Sequence, residues 1–231
     1  AGRRTARKNA VMIKDRRYHE NGYEFIEELL PPEVISSFLS IMQINMGADR
    51  ASQRRFLSEP GIALLPTQSY ELPSAYFPFS LGLLWGLTAR MEVVTKTKLL
   101  PSYAHGRIYP KGATCVVHND RAANEHSLNL TLGFSDNTIW DFCVGQERIA
   151  ENYLDNKDAY QDFGERPFDR IQMNAGDAVA YQGQHYYHGR IDPNPNAWSA
   201  HLFLGWVDRD GPQKDHAFDK FELPPPAKFF F

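Results

Sequence analysis

The chain has 231 residues, 42% of them hydrophobic and 13% aromatic, enough to bury one substantial core at a length suited to one domain. A formal charge of −3 and a pI near 6.3 give no bulk attraction to nucleic acid or an anionic membrane, and no apolar run reaches the roughly 18 residues of a membrane span. Only Cys115 and Cys143 are present, too few for a disulfide scaffold, and no signal-peptide pattern opens the chain, so a soluble, cytoplasmic protein is expected.

In chain order, residues 1–22 carry Arg3, Arg4, Arg7, Lys8, Lys14, Arg16 and Arg17 with little apolar content, which predicts a basic, solvated arm. Residues 23–231 then form one domain. Pro31 to Ile44 predicts an amphipathic helix: proline opens it, Glu33 lies in the first turn, and Val34, Ile35, Phe38, Leu39 and Met42 recur at helical spacing. The proline-punctuated stretch from Pro60 to Pro78, with Tyr70, Tyr76 and Phe77, reads as either a lid or a plain connecting loop. A second helix is expected from Leu81 to Thr95, on Leu84, Leu87, Met91 and Val94.

From Leu99 to about residue 210 the pattern changes to short alternating runs separated by Gly, Asn, Asp and Pro, the signature of a β-sandwich or barrel. Three runs have one polar and one apolar face. Tyr103, His105, Arg107 and Tyr109 alternate with Ala104, Gly106 and Ile108. Ser127, Asn129 and Thr131 alternate with Leu128, Leu130 and Leu132. Ser199 and His201 alternate with Ala200, Leu202 and Leu204. A solvated sheet face would also alternate, but it usually carries Lys and Glu, whereas Tyr, Arg, His, Asn and Thr line polar cavities. If helices cover the apolar faces, the polar faces enclose a ligand site inside a β-roll.

His118-Asn119-Asp120 sets an imidazole and a carboxylate at i and i+2, on one face of extended chain, so both can reach one ion. A further imidazole is available after the strand-like run Gly176 to Tyr181, at His185 or His188. Two histidines and one carboxylate suit iron(II) and leave coordination positions for a bidentate co-substrate and dioxygen.

With these motifs in order, the chain resembles the prolyl-hydroxylase-like 2-oxoglutarate and iron(II)-dependent oxygenases over roughly residues 23–212. Arg107 to Gly112 followed by His118 to Arg121 looks like the family's Tyr-x-x-Gly strand leading into His-x-Asp. Phe25 to Met42 is similar to its first strand and helix, and Gly176-Asp177-Ala178 ending in His188 to its second half. A bacterial His-x-Asp-Arg subgroup is nearest, sharing Ser127 to Leu132, His188 to Arg190 and Leu202 to Pro212. The resemblance implies an α+β, β-rich fold: a double-stranded β-helix (jelly-roll, cupin-like) with N-terminal helices packed on the major sheet. It also implies His118, Asp120 and His188 as both the catalytic residues and the metal ligands, with Fe(II), 2-oxoglutarate and O2 as cofactor and co-substrates. The implied reaction is hydroxylation of an unactivated C–H bond in an amino acid, a peptidyl side chain or a small metabolite, with release of succinate and CO2. Asp120 favours hydroxylation over halide transfer, whose relatives carry a small residue there.

One position departs from the family. A basic residue about ten positions after the distal histidine usually pairs with the far carboxylate of 2-oxoglutarate, and here that stretch reads Asn196-Ala197-Trp198-Ser199. Arg190 is the expected substitute, because it can grip a carboxylate with two parallel bonds, and Arg121 is the alternative. Tyr109, Asn129, Thr131 and His201 join Arg190 as expected co-substrate contacts. Tyr103, Arg107, Arg121 and Trp140 are expected at the substrate, with Tyr181 and Tyr187 as further rim candidates. The competing readings are a cupin-like metalloenzyme that does not use 2-oxoglutarate and a non-catalytic sensing or binding domain.

Overall fold

The computed structural model describes residues 17–59, 64–150 and 159–220, with backbone alone at 219 and 220. The basic stretch 1–16 and the prolines at 224–226 lie outside the described residues. Residues 18–22, read as part of the basic arm, belong instead to the folded domain: Tyr18–Asn21 is a short helix (α1), and Tyr18 is buried in the core. Its hydroxyl bonds Nδ1 of His126 at 2.6 Å, which ties this end of the chain to the sheet.

Ten strands form two antiparallel sheets among the described residues. The major sheet contains β1 (Tyr23–Ile26), β2 (Tyr70–Pro73), β3 (Leu99–Pro110), β5 (His126–Phe134), β8 (Ala178–Tyr181) and β10 (Trp198–Asp208), in the order β1-β8-β5-β10-β3-β2. The minor sheet contains β4 (Cys115–His118), β6 (Phe142–Gly145), β7 (Phe168–Ile171) and β9 (His188–Arg190), in the order β4-β9-β6-β7. This is the expected double-stranded β-helix.

Two long helices cover the outer face of the major sheet. Helix α2 (Pro32–Met46) has proline in its first turn and runs past Ile44, because Met46 extends the apolar stripe one turn beyond Met42. It stops at Gly47, whose φ of +85° a side chain would strain. After α3 (Arg50–Arg54), helix α4 (Phe79–Thr95) contributes Leu84, Met91 and Val94 to the same core. Leu128, Leu130, Leu132, Leu202 and Leu204 meet these helices, so the apolar halves of the alternating strands face outward. Truncating one of these leucines to alanine would cost about 2–5 kcal/mol. The polar halves consequently face into the roll.

The stretch read as lid or loop is neither over its second half. Tyr70–Pro73 is the edge strand beside β3, and Phe77 is buried under the helices. Residues 60–63 lie outside the described residues.

Candidate metal and co-substrate site

Strand register stacks the polar residues in rows across the inner face. Tyr181, Ser127, Gly205 and Tyr103 form one row, Val179, Asn129, Phe203 and His105 the next, and Thr131, His201 and Arg107 the third. Each row follows from the period-two alternation of the strands, which turns every second residue inward.

At the first row, His118, Asp120 and His188 bring ligand atoms within 4.8 Å of one another. His118 pairs directly with His188 across β4 and β9, and their ring centroids lie 4.4 Å apart. Nε2 of His118 is 3.8 Å from Oδ1 of Asp120, and Nε2 of His188 is 3.4 Å from the same oxygen. The Nδ1–H of His118 donates to the Val116 carbonyl at 2.8 Å and that of His188 to the Tyr186 carbonyl at 3.0 Å. These bonds select the tautomer whose Nε2 lone pair points at the shared centre, the arrangement a metal-binding histidine needs. Asp120 has its backbone N–H on the Gly183 carbonyl at 2.9 Å, and its Oδ2 accepts from Ser127 at 2.9 Å, leaving Oδ1 toward the histidines. Burial alone would raise the Asp120 pKa, but His188, His118 and the Ser127 bond outweigh it and hold the carboxyl ionised. The donor set and its orientation fit a divalent transition metal. His185 does not join the cluster among the described residues.

Arg190 lies two residues beyond His188 on the same inner face. It is 1% exposed. Its guanidinium donates to the Trp140 carbonyl and, at 3.2 Å, to Nδ1 of His201, and it lies 4.7 Å from the Trp140 ring centre. No carboxylate lies within ion-pair distance of it among the described residues. An isolated buried charge costs several kcal/mol, which makes this guanidinium a candidate partner for a bound anion. His201 is a neutral acceptor here. Burial, then the charges of Arg190 and Arg107, push its pKa well below the usual imidazole value, and its Nε2–H donates to Ser199 at 2.6 Å. Thr131 reaches Nδ1 of His201 at 3.4 Å, and Tyr109 packs edge-on against Trp140. Asn129, in the row between metal cluster and guanidinium, is fully buried with neither amide atom bonded to the protein.

The residues expected at the substrate divide between two places. Tyr103 stacks on His105 with centroids 5.8 Å apart, and the Arg121 guanidinium lies 5.0 Å from the Tyr103 ring centre, both on the metal side. Burial, partly offset by Arg107 and Arg121, pushes the Tyr103 phenol up to about 12. Trp140 lies beneath Arg190 instead, with its indole N–H on the Asp192 carbonyl at 2.7 Å, so it packs against the guanidinium rather than with Tyr103. Arg107 is paired: Nε donates to Glu71 at 2.7 Å and Nη1 to the Tyr109 hydroxyl at 3.1 Å, while His105 holds the other Glu71 oxygen. Glu71 and its bond to His105 escape sequence reasoning, because Glu71 sits in the segment read as lid or loop. The local signal for it is the brief alternation of Tyr70, Glu71 and Leu72, too short by itself to place a strand.

A double-stranded β-helix with two histidines and one carboxylate at its mouth is the class of structure that fold and site define together. Solved structures with this fold include Streptomyces hygroscopicus HygX with nickel, 2-oxoglutarate and hygromycin B bound, at 14% identity and TM-score 0.57 over 83% of this chain and 84% of that one. The Pseudomonas putida prolyl-4-hydroxylase matches at 14% identity and TM-score 0.53, over 84% and 96%. SnoN, a non-haem α-ketoglutarate-dependent epimerase from nogalamycin biosynthesis, matches at 12% and 0.62, over 83% and 80%. No protein-family model matches the chain, and no curated protein does. At these identities the likeness establishes the fold.

Proposed function

We propose that the chain is an iron(II)- and 2-oxoglutarate-dependent oxygenase that hydroxylates a C–H bond of a small molecule or a peptidyl side chain. One observation carries this reading: a single short strand, His188–Arg190, presents a candidate metal ligand and, on the same face, a buried guanidinium without an ion pair among the described residues. Residues i and i+2 of a strand are about 6.8 Å apart, a spacing suited to a dicarboxylate that chelates metal at one end and meets an arginine at the other. Asn129, lying between them with an unbonded amide, adds donor and acceptor capacity along that path. The solved HygX structures with this fold that have nickel and 2-oxoglutarate bound support the same assignment.

In this reading His118, Asp120 and His188 hold the ion, and the bound ion and 2-oxoglutarate together supply the oxidising chemistry. The chain's residues orient and enclose. Arg190, held by His201 and Trp140, fixes the far carboxylate. Tyr103 and Arg121 border the metal side, where the C–H bond would be presented. A metalloenzyme of this fold that does not use 2-oxoglutarate leaves the Arg190 charge unaccounted for. No helix among the described residues is long and apolar enough to cross a membrane, and the acidic composition favours a substrate other than nucleic acid.

The test is an anaerobic titration with iron(II) and 2-oxoglutarate that follows the weak visible charge-transfer band of the chelate, in wild type and Arg190→Ala. Wild type gives the band, and Arg190→Ala requires far more 2-oxoglutarate to reach it. A wild type without a band overturns the co-substrate assignment, and normal binding by Arg190→Ala overturns the anchor.

A further inference from the structure

Helix α4 packs on the major sheet through Leu84, Met91 and Val94, yet its opposite side is apolar as well. At three- and four-residue spacing Phe79, Gly82, Gly86, Ala89 and Val93 form one outward stripe, with Trp85 on its flank. Phe79 is 51% exposed, Trp85 59% and Val93 68%. A surface helix normally turns charge to solvent, and within this stripe only Arg90 does so. Gly82 and Gly86 are exposed, and a Cβ at either would meet nothing within 4 Å. Glycine is costly in a helix interior, and here it relieves no contact among the described residues. Its effect is to clear a track along which a second helix can lie close.

We propose that this face is the interface of a twofold dimer, in which α4 lies antiparallel on α4 of a second copy about an axis at Gly86. Phe79 and Val93 are equidistant from Gly86 in sequence, and so are Gly82 and Arg90. The twofold therefore sets Phe79 of the partner subunit opposite Val93, Gly82 of the partner subunit opposite Arg90, and glycine on glycine at the axis. Three observations favour a second copy as the occupant. Beside Val93 the surface opens into a cavity of about 170 Å³, lined in part by Tyr18, Arg90, Val93 and Val94. The symmetry brings Phe79 of the partner subunit to its mouth, and a cavity of about 150 Å³ holds a benzene ring. Charge is also compatible: the two copies of Arg90 stand about 12 Å apart along the helices, beyond the screening length of about 8 Å, and each has a glycine opposite it. Area is the third. With Phe218, which stacks on Trp85 at 6.2 Å, and with Ile44 and Tyr76, the large exposed side chains of this layer present apolar surface on the order of 700 Å². A monomer rarely exposes a contiguous patch above a few hundred Å², and a specific dimer buries roughly 800 Å² per partner. The metal cluster stays open in such a dimer, because α4 lies on the outer face of the major sheet and the cluster lies inside the roll.

Sedimentation of the full chain tests this, and wild type is expected to run as a dimer. Gly86→Arg sets two like charges against each other at the axis and raises the dissociation constant at least about 100-fold. The open space around Gly86 admits that side chain in the separate subunit. Gly86→Cys closes to a covalent dimer under mild oxidation, whereas Val93→Cys does not, because the two copies of position 93 stand about 21 Å apart. Cys115 and Cys143 are buried and do not compete. A wild type that sediments as a monomer overturns the proposal, whether the face then proves bare or covered by residues 221–231. A dimer that survives Gly86→Arg overturns it too, as does Gly86→Cys cross-linking no faster than Val93→Cys, since both put the contact elsewhere. Should Gly86→Arg fail to fold, the two cysteine variants decide alone.

Discussion

Arg190 donates from Nη2 to Nδ1 of His201 at 3.2 Å, a bond that exists only while the imidazole is neutral. In the unfolded chain His201 titrates near 6.5, whereas burial and the adjacent guanidinium charges keep it unprotonated in the fold. The unfolded state therefore binds the extra proton, and stability falls as pH drops below about 6.5, by up to about 1.4 kcal/mol per pH unit for this group. Above that pH the group contributes no slope. Urea unfolding of wild type and His201→Gln between about pH 7.5 and 5 measures the difference. The glutamine, which can accept from Arg190 without titrating, gives the flatter profile; parallel profiles contradict the account.

Replacing Arg190 with methionine removes a buried charge that has no carboxylate within ion-pair distance among the described residues. Such replacements are often neutral or stabilising. Arg190→Met is expected to melt at or above the wild-type temperature without ligand and, with metal present, to gain far less than wild type from added 2-oxoglutarate. Wild type should gain about 2.7 kcal/mol at a ligand concentration of about 100 Kd. A scanning melt with and without ligand separates the two effects, and destabilisation of unliganded Arg190→Met would show that the guanidinium is structural.

Gly183 is a contact position. A Cβ there would press on Oδ2 of Asp120 and Oγ of Ser127 and lie 2.9 Å from the Asn124 carbonyl. The Gly183 carbonyl also receives the Asp120 backbone N–H. Gly183→Ala should move the carboxylate and lower Ni(II) affinity by at least about tenfold. Calorimetric titration of the metal-free protein reads this directly, and wild-type affinity in the variant would mean the loop yields at no cost to the site.

Glu71 couples the edge strand to the inner face. Burial raises its pKa, but the bonds from His105 and Arg107 more than reverse this and lower it below the ordinary value of 4.5. A carboxylate with a depressed folded pKa stabilises fully above its unfolded pKa and loses that contribution as pH falls through the folded value. Glu71→Gln should cost about 1–3 kcal/mol near neutral pH and progressively less below about pH 4.5. Denaturant midpoints for both proteins across that range check the convergence.

The major-sheet rows were legible in the sequence because period-two alternation is local: Ser127, Asn129, Thr131 and His201 turn inward wherever their strands pair. His118 and Asp120 were expected on one strand, but β4 ends at His118 and Asp120 is placed by its backbone bond to the Gly183 carbonyl; the choice of His188 over His185 followed from motif order. Position along the roll was not legible. Trp140 and Tyr103 are equally aromatic in sequence, yet the first lies under Arg190 and the second beside the metal ligands, because the sheet pairing that separates them is long-range. Glu71 was hidden for a related reason: a four-residue edge strand carries too little periodicity to stand out from a proline-rich connection. Tyr18 fell in a basic segment, and its place in the core rests on long-range packing and on its bond to His126, 108 positions away in the chain.

The two sheets of the roll share no strand, and one proposed ligand links them: His118 and His188 stand on the minor sheet, and Asp120, two residues past β4, is braced by Ser127 on the major one. An ion held by all three would work as a rivet, joining chain positions 118 and 188 and, through the bond of Asp120 to Ser127, tying them to the opposite wall. In the unfolded chain such a tie closes a long loop, so the rivet limits how widely the walls can part as well as where the chemistry happens. The catalytic ion and the fastener of the barrel's mouth would then be one object, and the chain could not lose the first without loosening the second.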